Sequence, residues 1–360
     1  MQKSKSLKKT SSRILFLDYL RVFAFVSVLI GHKFYGTLSE FVSNPATHAS
    51  PRYLVNLLLP FFEAGGAGIV VFFLISGYII TFVLQNELPR AFFIKRIFRI
   101  YPLYMAAVLL QVFTIWVMDG SLPKPSILIP QLLLIGDFFQ TPYTLQGVEW
   151  TLRVEIFFYL FMGIARHFNL LHAHKKIFPF IILLSILGLG FLAPIPAHSI
   201  WSHGYLTIYA PFLLLGTLFY FQENKEISAW FLFSSVIFVL AQYYMLISIH
   251  QQAWVNSHFA TFGVLLFFFA WRYRQIFQPY PLVLFLSNLT YSVYLFHNWS
   301  WDPIKKVFAK LSIGIINPDI QALLALLLLC TIMFNWVEKT GIRWGRQVLK
   351  KIEEKHPTTS

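Results

Sequence analysis

An arginine and a histidine stand inside an otherwise apolar stretch near the start of the chain, where residues 16–33 read FLDYLRVFAFVSVLIGHK. Arg21 and His32 are eleven positions apart, so on an α-helix they lie within about 20° of one another and about 16 Å apart along the axis. Ionisable groups at membrane depth cost about 2.5 kcal/mol or more each and by default mark functional sites. The spacing therefore indicates a reaction path across a membrane, with a cation near one end and an imidazole near the other.

Two further proton-active side chains, Glu155 and His297, lie in apolar segments far from His32 in sequence. If the segments alternate in direction, all three reach a similar depth on one side, with Glu155 about 9 Å below the boundary. Histidine transfers protons near neutral pH, and a carboxylate can orient it or raise its basicity. Two plainer interpretations stay open. A histidine near a helix end is commonly interfacial, and a membrane glutamate commonly pairs with an arginine such as Arg153 or Arg21.

A cluster of cations begins the third apolar segment, where residues 92–102 read FFIKRIFRIYP. Arg96 and Arg99 are three positions apart and share a helix face, and guanidinium groups bind phosphates bidentately. Lys95 adds a third positive charge beside them, and a helix N-terminus also favours anions. The alternative is a cluster that only touches anionic lipid.

These side chains must be positioned by membrane helices, because the 360 residues are 57% hydrophobic and only 12% charged, whereas a soluble domain carries about 25% charged residues. No cleavable signal peptide is evident, and the single cysteine, Cys330, predicts packing rather than chemistry. We predict ten membrane-spanning helices, at residues 14–36, 67–85, 100–118, 149–166, 177–195, 203–222, 228–247, 256–271, 282–300 and 319–338.

The placement of Lys and Arg predicts that both termini are cytoplasmic. Of the 29 such residues, 21 fall in segments that this orientation places inside, six in outer segments and two within spans. The net charge of +14 is thus explained by membrane topology, and nucleic acid is not an expected partner. Residues 54–63 and 127–139 are too short to cross and predict interfacial or re-entrant segments. If either crossed, the orientation beyond it would be reversed.

Five segments, in this order, resemble motifs of the membrane acyltransferase-3 family, whose members O-acylate bacterial surface glycans. They read LDYLRVFA at 17–24 followed by GH at 31–32, GIVVFFLISG at 68–77, RIFRIYP at 96–102, WTLRVEIFFY at 150–159 and YSVYLFH at 291–297. The resemblance implies that Arg21 and His32 match the family's Arg-x10-His pattern. Arg96 and Arg99 match its Arg-x-x-Arg pattern, and Glu155 matches the glutamate of its Trp-x-Leu-x-x-Glu segment.

The resemblance also implies an acyl-CoA donor on the cytoplasmic side and an acceptor on the far side. One departure bears on the site, because Arg153 stands where we expect a small residue such as serine. We therefore expect an all-α polytopic bundle of about ten helices in the bacterial cytoplasmic (inner) membrane. Its parts are a basic tail at 1–13, an acyltransferase domain at 14–338 and a basic tail at 339–360, with no esterase-like domain after it. Any acyl relay then needs a separate protein or none.

As a working hypothesis, acetyl-CoA docks its phosphates on Arg96, Arg99 and Lys95, and its pantetheine arm passes Arg21 toward His32. His32 acts as general base or transient acyl carrier. Two roles complete the predicted site: Glu155 orients the imidazole, and His297, Tyr294 and Trp150 line the acceptor site. No metal is expected.

The expected partners are membrane lipids, a glycan or lipid-linked saccharide and polysaccharide biosynthesis proteins. Exopolysaccharide, lipopolysaccharide O-antigen, a lipid-linked sugar and a macrolide-type metabolite all stay open as acceptors. The alternatives are a glycan or lipid translocase of the same fold without acyl transfer, and a succinyl rather than acetyl donor favoured by the extra cation Arg153.

Overall fold

The computed structural model describes residues 13–173, 176–197, 203–311 and 316–355. Within these ranges the chain is helical and contains no β-strand, which confirms the all-α prediction. The predicted N-terminal tail lies outside the described residues except for residue 13. The last five residues of the predicted C-terminal tail lie outside them as well.

Fifteen α-helices occur in the described part of the chain. In order they are Leu15–Leu29 (α1), Tyr35–Ser43 (α2), Ala49–Leu58 (α3), Gly66–Leu84 (α4), Pro89–Asp119 (α5), Pro125–Leu132 (α6), Trp150–His167 (α7), Phe178–Phe191 (α8), Tyr205–Glu223 (α9), Ala229–His250 (α10), Phe259–Arg272 (α11), Pro281–Phe296 (α12), Trp301–Lys310 (α13), Pro318–Met333 (α14) and Lys339–Lys355 (α15). Short 3-10 turns cover Leu59–Gly65, Gly136–Phe139, Leu145–Gly147, Gln252–Trp254 and Arg274–Ile276.

Each of the ten predicted spans falls on a helix, but only six helical stretches of the described chain are long and apolar enough to cross a membrane. They are Leu15–Ser43, Ala49–Leu84, Pro89–Asp119, Tyr205–Glu223, Ala229–His250 and Pro318–Lys355. Helices α8, α11 and α12 are apolar but shorter. Helix α7 carries Arg153, Glu155 and Arg166 within 18 residues. A membrane protein is therefore supported, and the count of ten stays a prediction.

Helix α4 lies at the centre of the bundle and packs against α1, α7, α9 and α11. Most of its residues are apolar, and 14 of the 19 are buried. A Cβ added to Gly77 would overlap the carbonyl oxygen of Leu213, and one added to Gly216 would overlap the carbonyl oxygen of Leu74. The glycines thus let the backbones of α4 and α9 approach closely, as small residues do in membrane helix packing.

Two turns of π-helix interrupt the regular helices, at Ile30–Phe34 and at Phe334–Glu338. Such single-turn bulges inside α-helices frequently occur at functional sites. The first contains His32 and joins α1 to α2. The second joins α14 to α15 and contains Glu338, a buried carboxylate. Each π-helical turn borders one of the two cavities described below.

Candidate active site: two cavities along three shared helices

The larger cavity contains both predicted histidines and has a volume of about 1180 Å³. We call it the histidine cavity. Its polar lining includes His32, Asp137, Gln140, Gln146, Gln251, His297 and Asn298, and its aromatic lining includes Tyr143, Trp150, Tyr209, Trp254, Phe259 and Tyr294. A concave site with a few polar groups among aromatic rings is typical of small-molecule binding.

His32 is exposed within this cavity. Its π-helical turn is pressed against the 3-10 turn that precedes α4, because a Cβ added to the neighbouring Gly31 would overlap the backbone of Phe62 and Gly65. Among the described residues, the imidazole of His32 has no hydrogen-bonding partner. Its ring is therefore held in place from the backbone side and is available to a molecule in the cavity.

His297 is fully buried and faces His32, with the two ring centroids 5.3 Å apart. Its Nδ1 lies 2.8 Å from the backbone carbonyl oxygen of Tyr294 and 3.2 Å from that of Val293. A carbonyl oxygen only accepts hydrogen bonds, so Nδ1 carries a hydrogen and donates it. The Nε2 atom is buried and has no partner in the described chain. The second predicted histidine thus has one nitrogen fixed by the backbone and one unused.

Tyr294 and Trp150, predicted to line the acceptor site, also border the histidine cavity. The Tyr294 hydroxyl donates to the carbonyl of Val148 at 2.9 Å and accepts from the hydroxyl of Thr151 at 2.7 Å. The Trp150 ring centroid lies 5.1 Å from that of Tyr209. Both predicted residues are therefore held in place by neighbours on α7 and α9.

The smaller cavity is strongly cationic and has a volume of about 530 Å³. We call it the arginine cavity. Its charged lining consists of Arg21, Arg99, Glu338, Lys339, Arg343 and Arg346. Of the predicted donor-site residues, it brings together two from different helices, Arg21 on α1 and Arg99 on α5.

A buried carboxylate, Asp18, holds Arg21 beside the arginine cavity. Asp18 is inaccessible to solvent and lies 3.2 Å from the Arg21 guanidinium. It also accepts hydrogen bonds from Arg13 and from Ser287, each at 2.6 Å. Asp18 is not among the predicted site residues. Its signal was the spacing, because a carboxylate three positions before Arg21 lies on the same helix face.

The two other predicted donor-site cations lie outside the arginine cavity. Lys95 pairs with Glu87 at 2.6 Å on the protein surface. The Arg96 guanidinium stacks over the rings of Phe92 and Tyr159, at 5.2 Å and 5.7 Å from their centroids. Arg96 and Arg99 are about 60° apart around the helix, which is enough to place one among aromatic rings and the other in the cavity.

Glu155 does not contact His32. Its carboxylate accepts a hydrogen bond from the hydroxyl of Ser76. It also interacts electrostatically with the positive charges of Arg96 and Arg99. It does not line the histidine cavity. The predicted pairing of Glu155 with His32 therefore has no contact in the structure. Glu155 instead lies between α4 and the arginine-bearing part of α5, where it balances positive charge.

Arg153 is not the partner of Glu155 either. Its guanidinium lies 2.9 Å from Asp137 and 3.6 Å from Glu149, and it donates to the carbonyl of Leu134 at 3.2 Å. Asp137 also accepts a hydrogen bond from Tyr205. The extra cation noted in the sequence is thus buried and neutralised by two carboxylates. Arg153 does not line the histidine cavity. This position weakens the hypothesis that Arg153 favours a succinyl donor.

The two cavities lie along the same three helices. Helix α1, with its π-helical extension, supplies Arg21 to the arginine cavity and His32 to the histidine cavity. Helix α4 supplies Phe72 to the first and Ile69 to the second, and α12 contributes to both as well. Arg21 and His32, which the sequence predicts on one helix face, therefore line one cavity each.

Comparison with known proteins identifies the class to which this chain belongs. The profile of the acyltransferase-3 family, described as an acyltransferase domain, matches residues 14–336, and the chain belongs to this family. It is similar to the acyltransferase MdmB of Streptomyces mycarofaciens, with 27% identity over 142 residues. That similarity spans 37% of this chain and 37% of MdmB. No solved structure matches the chain.

Proposed function

We propose that this protein transfers an acyl group from acyl-CoA to a hydroxyl of a glycan, with the donor bound in the arginine cavity and the acceptor in the histidine cavity. The observation that carries the proposal is that α1 with its π-helical extension, α4 and α12 contribute residues to both cavities. Arg21 on α1 lines the cationic cavity, and His32 on the π-helical extension of α1 lines the cavity that contains both histidines. Family membership supports acyl transfer as the class of reaction.

The donor assignment rests on the charges of the arginine cavity. Arg99 has no ion-pair or hydrogen-bonding partner among the described residues, and Arg21 keeps part of its guanidinium free beside Asp18. Guanidinium groups bind phosphates through paired, charge-assisted hydrogen bonds. The phosphates of acyl-CoA fit this set, and the pantetheine arm then points along α1 toward His32. We propose acetyl-CoA as the donor.

The acceptor assignment rests on the lining of the histidine cavity. Side-chain amides such as Gln140, Gln146 and Asn298 both donate and accept hydrogen bonds, as the hydroxyls of a saccharide require. The rings of Trp150 and Trp254 offer flat apolar surfaces to the faces of a sugar ring. A glycan or a lipid-linked saccharide therefore fits this cavity, and we place it on the outer side of the bacterial inner membrane.

The chemistry requires one proton acceptor beside the reacting hydroxyl. The hydroxyl oxygen bonds to the thioester carbonyl carbon, the carbon–sulfur bond breaks, and the CoA thiolate leaves and takes the proton. His32 holds that proton between the two events as general base and then general acid. His297 accepts a hydrogen bond from a second acceptor hydroxyl at Nε2, because its Nδ1 already donates to Tyr294. We assign Tyr294 and Trp150 to the wall of the acceptor site.

Ester-linked acyl groups on surface glycan test the proposal in cells. A deletion strain would be complemented with the wild-type protein, with His32→Ala, or with His48→Ala as a control at an exposed histidine outside both cavities. We expect base-labile esters with wild type and His48→Ala, and none with His32→Ala at equal membrane abundance. Loss of surface polymer rather than of its esters would indicate a translocase and contradict the proposal.

A further inference from the structure

The C-terminal helix α15 closes one side of the arginine cavity, although it lies beyond the matched family domain, which ends at residue 336. Lys339, Ile342, Arg343 and Arg346 line the cavity. These positions recur every three or four residues and so share one face of the helix. The segment predicted from sequence as a basic tail therefore presents an ordered row of cations to the cavity.

A second face of α15, which contains Gly341 and Gly345, packs against α5 and so positions the cations of the first face. A Cβ added to Gly341 would lie 2.5 Å from the carbonyl oxygen of Phe98, and one added to Gly345 would lie 2.8 Å from the Cβ of Phe98. Phe98 immediately precedes Arg99 in the chain. The close packing of the two glycines on α5 thus holds Arg343 and Arg346 opposite Arg99 across one cavity.

Positive charges outnumber negative ones in this cavity, because five cations and one carboxylate line it. Arg99, Arg343 and Arg346 have no ion-pair or hydrogen-bonding partner within the described chain, and Glu338 is the one carboxylate among the residues that line the cavity. Arg21 is matched by Asp18. Positive charges that outnumber the nearby carboxylates repel one another, so the arrangement favours a multiply charged anion that fills the cavity.

We propose that Arg343 and Arg346 complete the donor site and bind the ribose 3′-phosphate of acyl-CoA. The proposal rests on the proposed function, and it adds a part of the donor site that lies outside the family domain. Arg343 and Arg346 are exposed at the rim of the cavity, whereas the Arg21 side chain is only 26% exposed. A pantetheine arm directed inward past Arg21 leaves the ribose phosphate at the rim.

Binding of CoA and 3′-dephospho-CoA to the purified full-length protein in neutral phosphatidylcholine nanodiscs tests this assignment. The test variant is Arg343→Ala with Arg346→Ala. The matched control is Lys350→Ala with Lys351→Ala, which removes the same charge from the same helix outside the cavity. Because hydrogen bonds to charged groups stabilise by about 1.5–3 kcal/mol each, we expect the test variant to bind CoA at least about tenfold more weakly.

The discriminating result is the preference for CoA over 3′-dephospho-CoA, which we expect in wild type and in the lysine control but not in the arginine variant. The assignment would be overturned if both double variants lost CoA affinity equally. It would also be overturned if the arginine variant kept the preference for CoA over 3′-dephospho-CoA. An effect that appears only in discs with phosphatidylglycerol would overturn it as well, because it would indicate a lipid headgroup site. If wild type itself does not bind CoA, the proposed function fails. If wild type binds and the arginine variant is unchanged, only this inference fails.

Discussion

Phe72 and Tyr294 stack with their ring centroids 6.1 Å apart and their planes within 5° of parallel, and each ring lines a different cavity. Phe72 belongs to the arginine cavity and Tyr294 to the histidine cavity. The stacked pair therefore lies at the boundary between the two cavities. We expect an acyl group that travels between the proposed donor and acceptor sites to pass this aromatic pair.

Replacing Phe72 with alanine should broaden the range of acyl groups that are transferred. The change removes one of the two stacked rings, so we expect butyryl transfer to rise relative to acetyl transfer. Competition between acetyl-CoA and butyryl-CoA, with both esters measured on the acceptor, gives this ratio. Phe72→Tyr keeps the ring and should keep the wild-type ratio. A ratio unchanged in Phe72→Ala would show that the pair does not border the route.

Replacing Gly31 with alanine should disable the site without touching an ionisable residue. The added Cβ overlaps the backbone of Phe62 and Gly65, so the π-helical turn must shift and carry His32 with it. We expect acyl transfer to fall nearly as far as in His32→Ala, and stability to fall by about 1–3 kcal/mol. Gly36→Ala is the control, because its Cβ would meet nothing within 4 Å. Full activity in Gly31→Ala would argue against a fixed His32.

Replacing Asp18 with asparagine should destabilise the protein strongly. Asp18 is inaccessible to solvent and compensates Arg13 and Arg21, and breaking a buried ion pair costs about 3–5 kcal/mol. Thermal unfolding in detergent measures the effect. The comparison is Glu87→Gln, which breaks the partly exposed pair with Lys95 and should cost less than about 1 kcal/mol. Similar melting temperatures for the two variants would contradict this role of Asp18.

The sequence predicts which residues gather near the histidines and near the donor-site arginines. It does not predict which side chains form pairs with one another. Depth along apolar helices predicts that His32 and His297 reach a similar level in the membrane, and in the structure the two rings face each other. The same reasoning predicts Glu155 beside them. Position along a helix gives the level of a residue in the membrane, but it does not give the direction in which the side chain points. In the structure Glu155 accepts a hydrogen bond from Ser76, and its charge interacts with Arg96 and Arg99 of α5. The pairing of Arg153 with Asp137 depends on the conformation of the segment around the 3-10 turn Gly136–Phe139. The helical periodicity of the sequence does not predict that conformation.

The donor side shows a second limit of prediction from sequence. Helical spacing grouped Lys95, Arg96 and Arg99, yet only Arg99 enters the cavity, because aromatic rings and an acidic neighbour occupy the surroundings of the others. The sequence predicts a basic cytoplasmic tail at Arg343 and Arg346. Their signal was present in the two glycines at i and i+4, Gly341 and Gly345, which favour close helix packing, but which surface they pack against became clear only from the structure.

Transfer of labelled acetyl groups by inverted membrane vesicles tests the role of His32 most directly. Vesicles that contain wild type, His32→Ala or His48→Ala would receive labelled acetyl-CoA on the exposed cytoplasmic face, and base-labile label on the endogenous glycan would be measured. Loss of a general base lowers a rate by about 10²–10⁴-fold. We predict that loss for His32→Ala and a wild-type rate for His48→Ala. Wild-type transfer by His32→Ala would contradict the proposed mechanism.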